Sequence, residues 1–182
     1  MQFLNHFLLA IPQNLSDYFS STLIYICEHS ERGAVGLVVN KPSNILVNEL
    51  LSQMTLNINR NILTAPILSG GPVSQNQCFV LHSNDCLFKS SKRVTQSIFL
   101  SSGWDVLEAI SEGKGPNKME VALGYAGWGG GQLEEEIARN IWLSCIANES
   151  IIFEAAYQDR LQEASNEIGV NLNLISPTIR HA

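Results

Sequence analysis

Apolar residues fall into short runs along this chain, and the spacing within each run indicates which element it forms. Runs rich in β-branched and aromatic side chains predict strands. These strands are predicted at 6–11, 22–28, 34–40, 66–69, 78–82, 94–100, 119–125, 141–147 and 151–154. A Gly-containing turn at 30–33 separates the second and third runs, which predicts an antiparallel hairpin. Both runs are apolar at odd and even positions, so we expect the hairpin to be covered on both faces.

A spacing of three or four residues between apolar side chains, together with capping residues, predicts four helices. They lie near 46–54, 102–113, 132–140 and 157–168. The polar, Asn-rich segment 55–65 predicts a loop. Strands occur in runs with helices placed irregularly between them, which favours an α+β fold with a mixed sheet over a regular βαβ array. No repeat or linker divides the chain, so we predict a single domain over residues 1–182.

Composition narrows the class of protein. The chain has 182 residues, of which 45% are hydrophobic and 15% charged, with a net charge of -6, and this argues against disorder. A pI near 5.1 disfavours a basic nucleic-acid-binding protein. No run of about 18 apolar residues is present, so we expect no membrane span. The first residues lack a basic leader and a small-residue cleavage site, so we predict no signal peptide and a cytoplasmic location.

A glycine-rich segment, Gly127–Gly131, lies between a predicted strand and a predicted helix, where free N–H groups can bind a phosphate. Gln132 stands where the dinucleotide-binding motif requires glycine, and Glu134–Glu136 would repel an anion. We therefore interpret the segment as a loop that binds no phosphate, and the three glutamates as a solvated helix face. The short basic cluster at 89–93 is likewise interpreted as a solvated loop.

Four cysteines are present, and none forms a C-x-x-C pair, so zinc-ribbon and thioredoxin-like sites are not predicted. Cys27 and Cys145 lie within strand-like runs, and we expect reduced thiols. Cys27 and His29 share a strand face, but residues two apart on a strand rarely bring a thiol and an imidazole into contact. His82 is the alternative imidazole partner for the Cys27 thiol. The two histidines have no third ligand at metal-binding spacing, so we predict no metal and no cofactor.

Polar residues and turn formers at strand ends make up the candidate binding site. Pro42 holds Lys41 extended at a strand end, where the ammonium can anchor a carboxylate or phosphate, although an ordinary exposed lysine is the alternative. We expect Pro42 to halt the sheet. Gly70 and Gly71 either let a ligand approach the backbone or form only a tight turn. The candidate binding residues are Glu28, His29, Asn40, Lys41, Pro42, Gly70, Gly71 and His82.

The order of motifs along the chain resembles one known family. The motifs are FLLAIP, YICEH, GAVGLVVNKP, SGGPV, FVLH, DVLEAI, LGYAGWGGGQLEEEI and NIWL. This set resembles the AlgH family of bacterial proteins, also called YqgE-like, from about Phe3 to His181. The resemblance implies one α+β domain whose bent, bifurcated sheet folds into a pseudo-barrel flanked by about four helices. It also implies a link to the regulation of alginate synthesis, and it assigns no catalytic residue. Cys78 departs from the family pattern, because Gly usually precedes F-V-L-H.

Three functions follow as hypotheses. The first is a non-enzymatic binding or regulatory protein whose partner is an unknown protein or small molecule, because no complete catalytic constellation is present. The second is an enzyme acting on a small anionic substrate, with Lys41 supplying charge and His29 or His82 transferring protons. The third, direct DNA binding, is disfavoured by the acidic pI and the lack of a helix-turn-helix motif. Convergence of the candidate residues on one concave pocket would favour a functional site over a purely structural role.

Overall fold

Ten strands form one curled sheet in the computed structural model of the chain, which describes residues 2–11, 17–54 and 65–172. The strands are β1 (His6–Ala10), β2 (Leu23–Ser30), β3 (Gly33–Val38), β4 (Pro42–Leu46), β5 (Pro66–Ser69), β6 (Val73–Ser83), β7 (Lys92–Arg93), β8 (Ile98–Ser101), β9 (Met119–Gly129) and β10 (Trp142–Ile146). The main path runs β10-β1-β2-β3-β9-β6-β8-β7, and β4 and β5 branch from it. Only β5 and β9 pair in parallel among the described strands.

The long strand β9 divides the sheet into two halves. Its residues 126–129 pair with β3, whereas residues 119–125 pair with β6. β5 also pairs with β9, at Ala122 and Leu123, where β6 pairs with the opposite edge of β9, so β9 has three partner strands. This branching confirms the predicted α+β fold with a bent, bifurcated, mixed sheet, which forms a single domain curled into a half-barrel.

Five α-helices and one 3-10 turn, Asp17–Phe19, accompany the sheet in the described part of the chain. The helices are α1 (Val47–Gln53), α2 (Trp104–Ser111), α3 (Gln132–Ala138), α4 (Glu149–Phe153) and α5 (Arg160–Glu167). None of these helices is both long enough and apolar enough to cross a bilayer. The prediction of a strand at 151–154 is wrong, because most of this segment belongs to the helix α4. The Asn148 side chain caps α4 by accepting a hydrogen bond from Ser150 N, and a short apolar run does not by itself distinguish strand from helix.

Several strand bounds also differ from the predictions. Pro42 does not halt the sheet but begins β4, where the first strand position needs no donor from proline. The predicted loop at 127–131 is wrong over its first three residues, because β9 continues to Gly129. The predicted strand at 94–100 is correct only from Ile98, where β8 begins, because β7 already ends at Arg93. The strand β6 begins earlier than predicted, at Val73. The predicted loop at 55–65 lies almost wholly outside the described residues.

Both faces of the β2–β3 hairpin are buried, as predicted. Tyr25 faces a core cluster that includes Ile151 of α4 and Ala164 of α5. Ile24, on the opposite face, belongs to a second cluster that includes Leu133 of α3. Both β2 side chains are fully buried. The helices therefore close the sheet from two sides, and α1 and α2 cover a third cluster on β5, β6 and β9.

A buried ion pair fastens α5 to the sheet. The Arg160 Nη2 atom lies 2.5 Å from Glu120 Oε1 on β9, and Nη1 donates to the carbonyl of Val39 at 2.7 Å. Arg160 Nε donates to the carbonyl of Ala155 at 3.0 Å, and the guanidinium lies over the Tyr157 ring. Both charged side chains are almost completely buried, and each of the three guanidinium nitrogens has a hydrogen-bond partner within the protein.

Candidate functional site

A cleft of about 680 Å³ opens on the curled sheet where the ends of β2, β3 and β9 meet. A β-bulge in β2 puts Glu28 opposite Val35 of β3, and Val35 is also opposite Gly127 of β9. Residues directly opposite each other on neighbouring strands project from the same face. Tyr125, two residues before Gly127, projects from that face as well. These four residues line the cleft together with the exposed Arg32 from the hairpin turn.

The glycine at position 127 leaves space beside Tyr125. A Cβ atom placed there would lie 3.1 Å from Tyr125 Cε2, tighter than an ordinary contact. Gly127 has no left-handed backbone conformation, so its small size matters here rather than its backbone freedom. The cleft thus combines a bare stretch of backbone with an aromatic side wall.

A smaller chamber of about 230 Å³ adjoins the cleft. It shares Glu28, Val35 and Tyr125 with the cleft and is lined in addition by Phe79 and Lys92, among others. Gln77 and Ser102 add polar groups to its wall. The two cavities therefore meet at Glu28 and Tyr125, and a ligand in one cavity would lie next to the other.

An ion pair spans the boundary between these cavities. Lys92 Nζ donates to Glu28 Oε1 at 2.8 Å, although the two residues are 64 positions apart. Four strands lie between β2 and β7 in the sheet, and a flat sheet would separate them by about 24 Å. Curling of the sheet brings the two side chains together. Their exposed fractions, 39% for Glu28 and 66% for Lys92, leave the pair accessible to solvent.

His29 borders the cleft but is held by the scaffold. Its Nδ1 atom accepts a hydrogen bond from Phe3 N at 3.1 Å, so Nδ1 carries no proton. Its Nε2 atom lies 2.8 Å from Glu134 Oε1 and donates to that carboxylate. The pKa of Glu134 is lowered by a hydrogen bond from its own backbone N–H and by the contact with His29. The neutral imidazole therefore joins the N-terminal segment and α3 to β2.

Glu136 on α3 is a second scaffold carboxylate. Its Oε2 atom accepts from the indole nitrogens of Trp128 and Trp142, each at 2.8 Å. Its Oε1 atom accepts from Gln132 Nε2 at 2.9 Å. The interpretation of Glu134–Glu136 as a solvated face is therefore wrong for the first and last residues. Helical spacing puts those two side chains on either flank of the buried Leu133, where they reach His29 and the two indoles, and it leaves Glu135 on the outer face.

His82 lies in a different buried environment. Its Nδ1 atom donates to the carbonyl of Ser83 at 2.7 Å, and its Nε2 atom accepts from the hydroxyl of Ser101 at 2.8 Å. The rings of Phe88 and Phe99 pack against the imidazole. Burial lowers the pKa of His82, because desolvation disfavours the charged ring. His82 lines neither the cleft nor the chamber.

The remaining candidate polar residues support the backbone. Asn40 Oδ1 accepts from Leu23 N at 2.8 Å, and Asn40 Nδ2 donates to the carbonyl of Ser21 at 2.9 Å. The Lys41 carbonyl accepts from Ser69 N at 2.9 Å. These bonds join the end of β3 to β2 and β5. They give Asn40 a defined structural role and leave the ammonium of Lys41 outside the cleft.

Gly70 and Gly71 allow the β5–β6 connection to cross β9 closely. A Cβ on Gly71 would lie 1.9 Å from the carbonyl carbon of Tyr125, and one on Gly70 would lie 2.4 Å from the carbonyl oxygen of Gly124. Such distances are impossible without movement of the backbone. The two glycines therefore permit the branch point of the sheet.

The structure brings together only some of the eight candidate residues. Glu28 and His29 line the cleft. His29 is opposite Ala34 at the start of β3, whereas Lys41 follows its end, and the rise from Ala34 to Val38 alone spans about 13 Å. Lys41 and His29 thus lie at opposite ends of one strand, and His82 lies on another strand, β6.

The sequence does not identify Lys92 as a site residue: it predicts a solvated loop there, whereas Lys92 belongs to β7 and its ammonium reaches Glu28. Nor does the sequence identify Arg32 or the space beside Gly127. No local signal identifies Lys92, because its contact depends on the curl of the whole sheet. The alternation of Tyr125, Gly127 and Gly129 could have indicated one glycine-rich strand face.

The cysteines form no reactive pair within the described residues, and all four are free thiols. Cys27 Sγ donates to the carbonyl of Tyr25 and is buried, and burial raises the pKa of this thiol. Burial raises the pKa of Cys78 to about 12 and that of Cys145 to about 11. Residues 2–11, 17–54 and 65–172 contain no group of three or more His, Cys, Asp or Glu side chains arranged to hold a metal ion.

Relatives of similar length match almost the whole chain. The AlgH-like family model matches residues 7–173. A UPF0301 protein of Shewanella sp. (strain ANA-3) is 43% identical over 182 residues, covering 98% of this chain and 97% of that protein. A UPF0301 protein of Thiobacillus denitrificans is 41% identical over 178 residues, covering 98% of this chain and 96% of that protein.

Two solved structures share the fold. The solution structure of the AlgH protein from Pseudomonas aeruginosa has a TM-score of 0.79 and 38% identity, covering 99% of this chain and 96% of that chain. A crystal structure of a Corynebacterium diphtheriae protein has a TM-score of 0.73 at 22% identity, covering 95% of this chain and 91% of that chain, and supports the fold alone. By the extent of the family match and the identity of these relatives, the chain belongs to the AlgH-like family.

Proposed function

We propose that this protein is a cytoplasmic, non-enzymatic binding protein that holds a small ligand in the cleft between β2, β3 and β9 and has a regulatory role. The cleft volume of about 680 Å³ lies within the range typical of small-molecule sites. Val35 and Val73 supply apolar surface, Tyr125 an aromatic wall, and Glu28 and Arg32 polar groups. This mixture of apolar walls and a few polar groups suits recognition of an organic ligand.

The state of His29 is the observation that carries the non-enzymatic part of the proposal. A general base must have a free acceptor within hydrogen-bond reach of its substrate. His29 has none, because its Nδ1 atom accepts from Phe3 and its Nε2 atom donates to Glu134. His82 is buried among the Phe88 and Phe99 rings, and Cys27 is buried with a raised pKa. These groups therefore support the scaffold rather than proton transfer or nucleophilic attack in the cleft.

Amide ¹H–¹⁵N spectra recorded against a panel of sugars, amino acids, nucleosides, carboxylates and phosphates test the proposal. We expect at least one compound to shift the amides of Val35, Tyr125 and Gly127, and to be recovered unchanged after prolonged incubation. Gly127→Val should remove those shifts, because its side chain would fill the space beside Tyr125. Ala138→Val, at an exposed position on α3, is the matched control. Conversion of a compound, or a panel that leaves these amides unmoved, would refute the proposal.

A further inference from the structure

We propose that the ligand of the cleft carries a carboxylate or phosphate group, and that Glu28 is the built-in competitor which this group displaces from Lys92. This inference rests on the proposed binding function and adds the ligand class and a residue that sets affinity. It follows from the charges that line the two cavities, from the position of the Glu28–Lys92 pair, and from the exposure of that pair.

The cavities are positively charged in a negatively charged protein. The chain has a net charge of -6, yet the fixed charges lining the cleft and the chamber are Arg32, Lys92 and a single carboxylate, Glu28. His29 adds no charge, because its Nδ1 atom accepts a hydrogen bond. Among the described residues no carboxylate forms a salt bridge with Arg32, whereas Lys92 is neutralised by Glu28. An anionic group entering the cleft would therefore meet one free cation and one exchangeable cation.

The Glu28–Lys92 pair lies at the boundary between the cleft and the chamber and separates them. Glu28 lines both cavities, and Lys92 lines the chamber on the far side of it. When an anion replaces Glu28 on Lys92, the carboxylate of Glu28 leaves the boundary and the two cavities become continuous. A ligand with its anionic group at Lys92 would then place its remaining atoms against Tyr125, Val35 and Phe79, which are the ring and apolar walls of the joined space.

The exposure of the pair makes the exchange feasible. Exposed ion pairs change equilibrium constants by about fivefold at most, so an anion that binds Lys92 with comparable strength can replace Glu28. The Glu28 and Lys92 side chains are 39% and 66% exposed, so water can hydrate each charge when the two are apart. Glu28 released from Lys92 is hydrated by solvent, so the displacement leaves no buried unpaired charge.

A second exposed pair provides a matched control. Lys114 Nζ lies 2.9 Å from Glu112 Oε2, with exposed fractions of 76% and 49%. This pair joins neighbours in sequence and lines neither cavity. Removal of the Glu112 charge alters the net charge of the protein by the same amount as removal of the Glu28 charge. Any difference between the two variants therefore reports the local competition and not the general electrostatic field.

The test measures dissociation constants of sodium phosphate and sodium benzoate by amide chemical-shift titration at low ionic strength. The proteins are the wild type, Glu28→Gln, Lys92→Gln and Glu112→Gln. We expect Glu28→Gln to bind about two- to fivefold more tightly, since the competitor has lost its charge. We expect Lys92→Gln to bind about tenfold more weakly, and Glu112→Gln to match the wild type. In the wild type, the amides of Gln77 and Ser102 in the chamber should shift together with that of Gly127.

The outcomes separate the two proposals. Binding of either probe with tighter binding by Glu28→Gln supports the inference, and the preferred probe identifies a phosphate or a carboxylate ligand. Binding that Glu28→Gln leaves equal or weakens overturns the competitor role while the binding function stands. Failure of both probes to bind the wild type and Glu28→Gln overturns the ligand class. The binding function itself then depends on the wider compound panel and on its sensitivity to Gly127→Val. Unfolding curves confirm that the variants, all at exposed or half-exposed side chains, are folded.

Discussion

Two ion pairs in this protein join distant segments across the sheet, but they differ in burial. The Glu120 and Arg160 side chains are 8% and 3% exposed, whereas those of Glu28 and Lys92 are 39% and 66% exposed. Their shortest distances, 2.5 Å and 2.8 Å, are similar. Distance alone would therefore assign them the same role. Burial separates them, because a buried charge that loses its partner cannot be hydrated, while an exposed one can.

The buried pair is a structural element and the exposed pair is an exchangeable one. Arg160 also donates to two backbone carbonyls, of Val39 and Ala155, so its guanidinium has several partners. Lys92 has Glu28 as its hydrogen-bonding partner among the described residues. The same chemistry thus holds α5 on the sheet at one place and leaves a cation available to a ligand at another.

The largest expected effect is on the buried pair. Arg160→Ala should lower the free energy of unfolding by about 3–5 kcal/mol, because it leaves the Glu120 carboxylate buried and unpaired. Urea unfolding followed by circular dichroism measures this change. The matched control is Lys92→Ala, which should change the free energy by about 1 kcal/mol or less. Equal losses in the two variants would remove the distinction drawn between the pairs.

A somewhat smaller loss of stability is expected at Glu136, a carboxylate that accepts several hydrogen bonds and forms no ion pair with a described residue. Glu136→Ala should lower the free energy of unfolding by about 2–3 kcal/mol, because two largely buried indole N–H groups lose their acceptor. The neighbouring Glu135→Ala should change it by about 0.5 kcal/mol at most, since Glu135 is exposed. The same urea assay applies to both. A large loss in Glu135→Ala would contradict the assignment of the two faces of α3.

A pH effect smaller than these losses is expected from His82. Burial lowers the pKa of His82 below the ordinary value of 6.5, so the unfolded chain takes up a proton more readily than the folded protein. The free energy of unfolding should therefore fall as the pH is lowered through 6.5, with no contribution from His82 above that value. Urea unfolding between about pH 7.5 and 5.5 measures the slope, which His82→Gln should reduce.

A direct titration of the His82 ring by NMR complements this variant, in case His82→Gln does not fold. The ring should become protonated at a lower pH than an ordinary histidine, because burial lowers the pKa of His82. A ring that titrates at or above its ordinary value would show that the buried site tolerates the charge. That result would contradict the claim that burial disfavours a charge at His82.

The smallest expected effect concerns the exposed pair and salt. Glu28→Gln should change the free energy of unfolding by less than about 1 kcal/mol in dilute buffer. The change should become smaller in about 1 M sodium chloride, because salt screens the attraction between solvent-exposed charges. Urea unfolding at the two salt concentrations measures it, with Glu112→Gln as the control. A change that persists undiminished in high salt would indicate that Glu28 is more than an exchangeable partner.

Much of the fold was predictable because its signals are local. The apolar runs locate most of the described strands, and the motif order identifies the family. The prediction failed at Ile151 and Ile152, where an apolar run is a helix capped by Asn148. It failed again at Glu134 and Glu136, because charge alone does not tell which helix face packs on the sheet.

For the candidate site, the sequence by itself determined which residues stand at strand ends and which glycines and prolines shape the backbone there. Glu28 and His29 were identified in this way, and both border the cleft. Only the tertiary structure decided that His29 is bonded on both ring nitrogens and that Lys92 meets Glu28 across four strands. The reason is physical. Strand ends and turns depend on local backbone preferences, whereas the partner of a polar side chain depends on how the whole sheet curls and what burial then excludes from water.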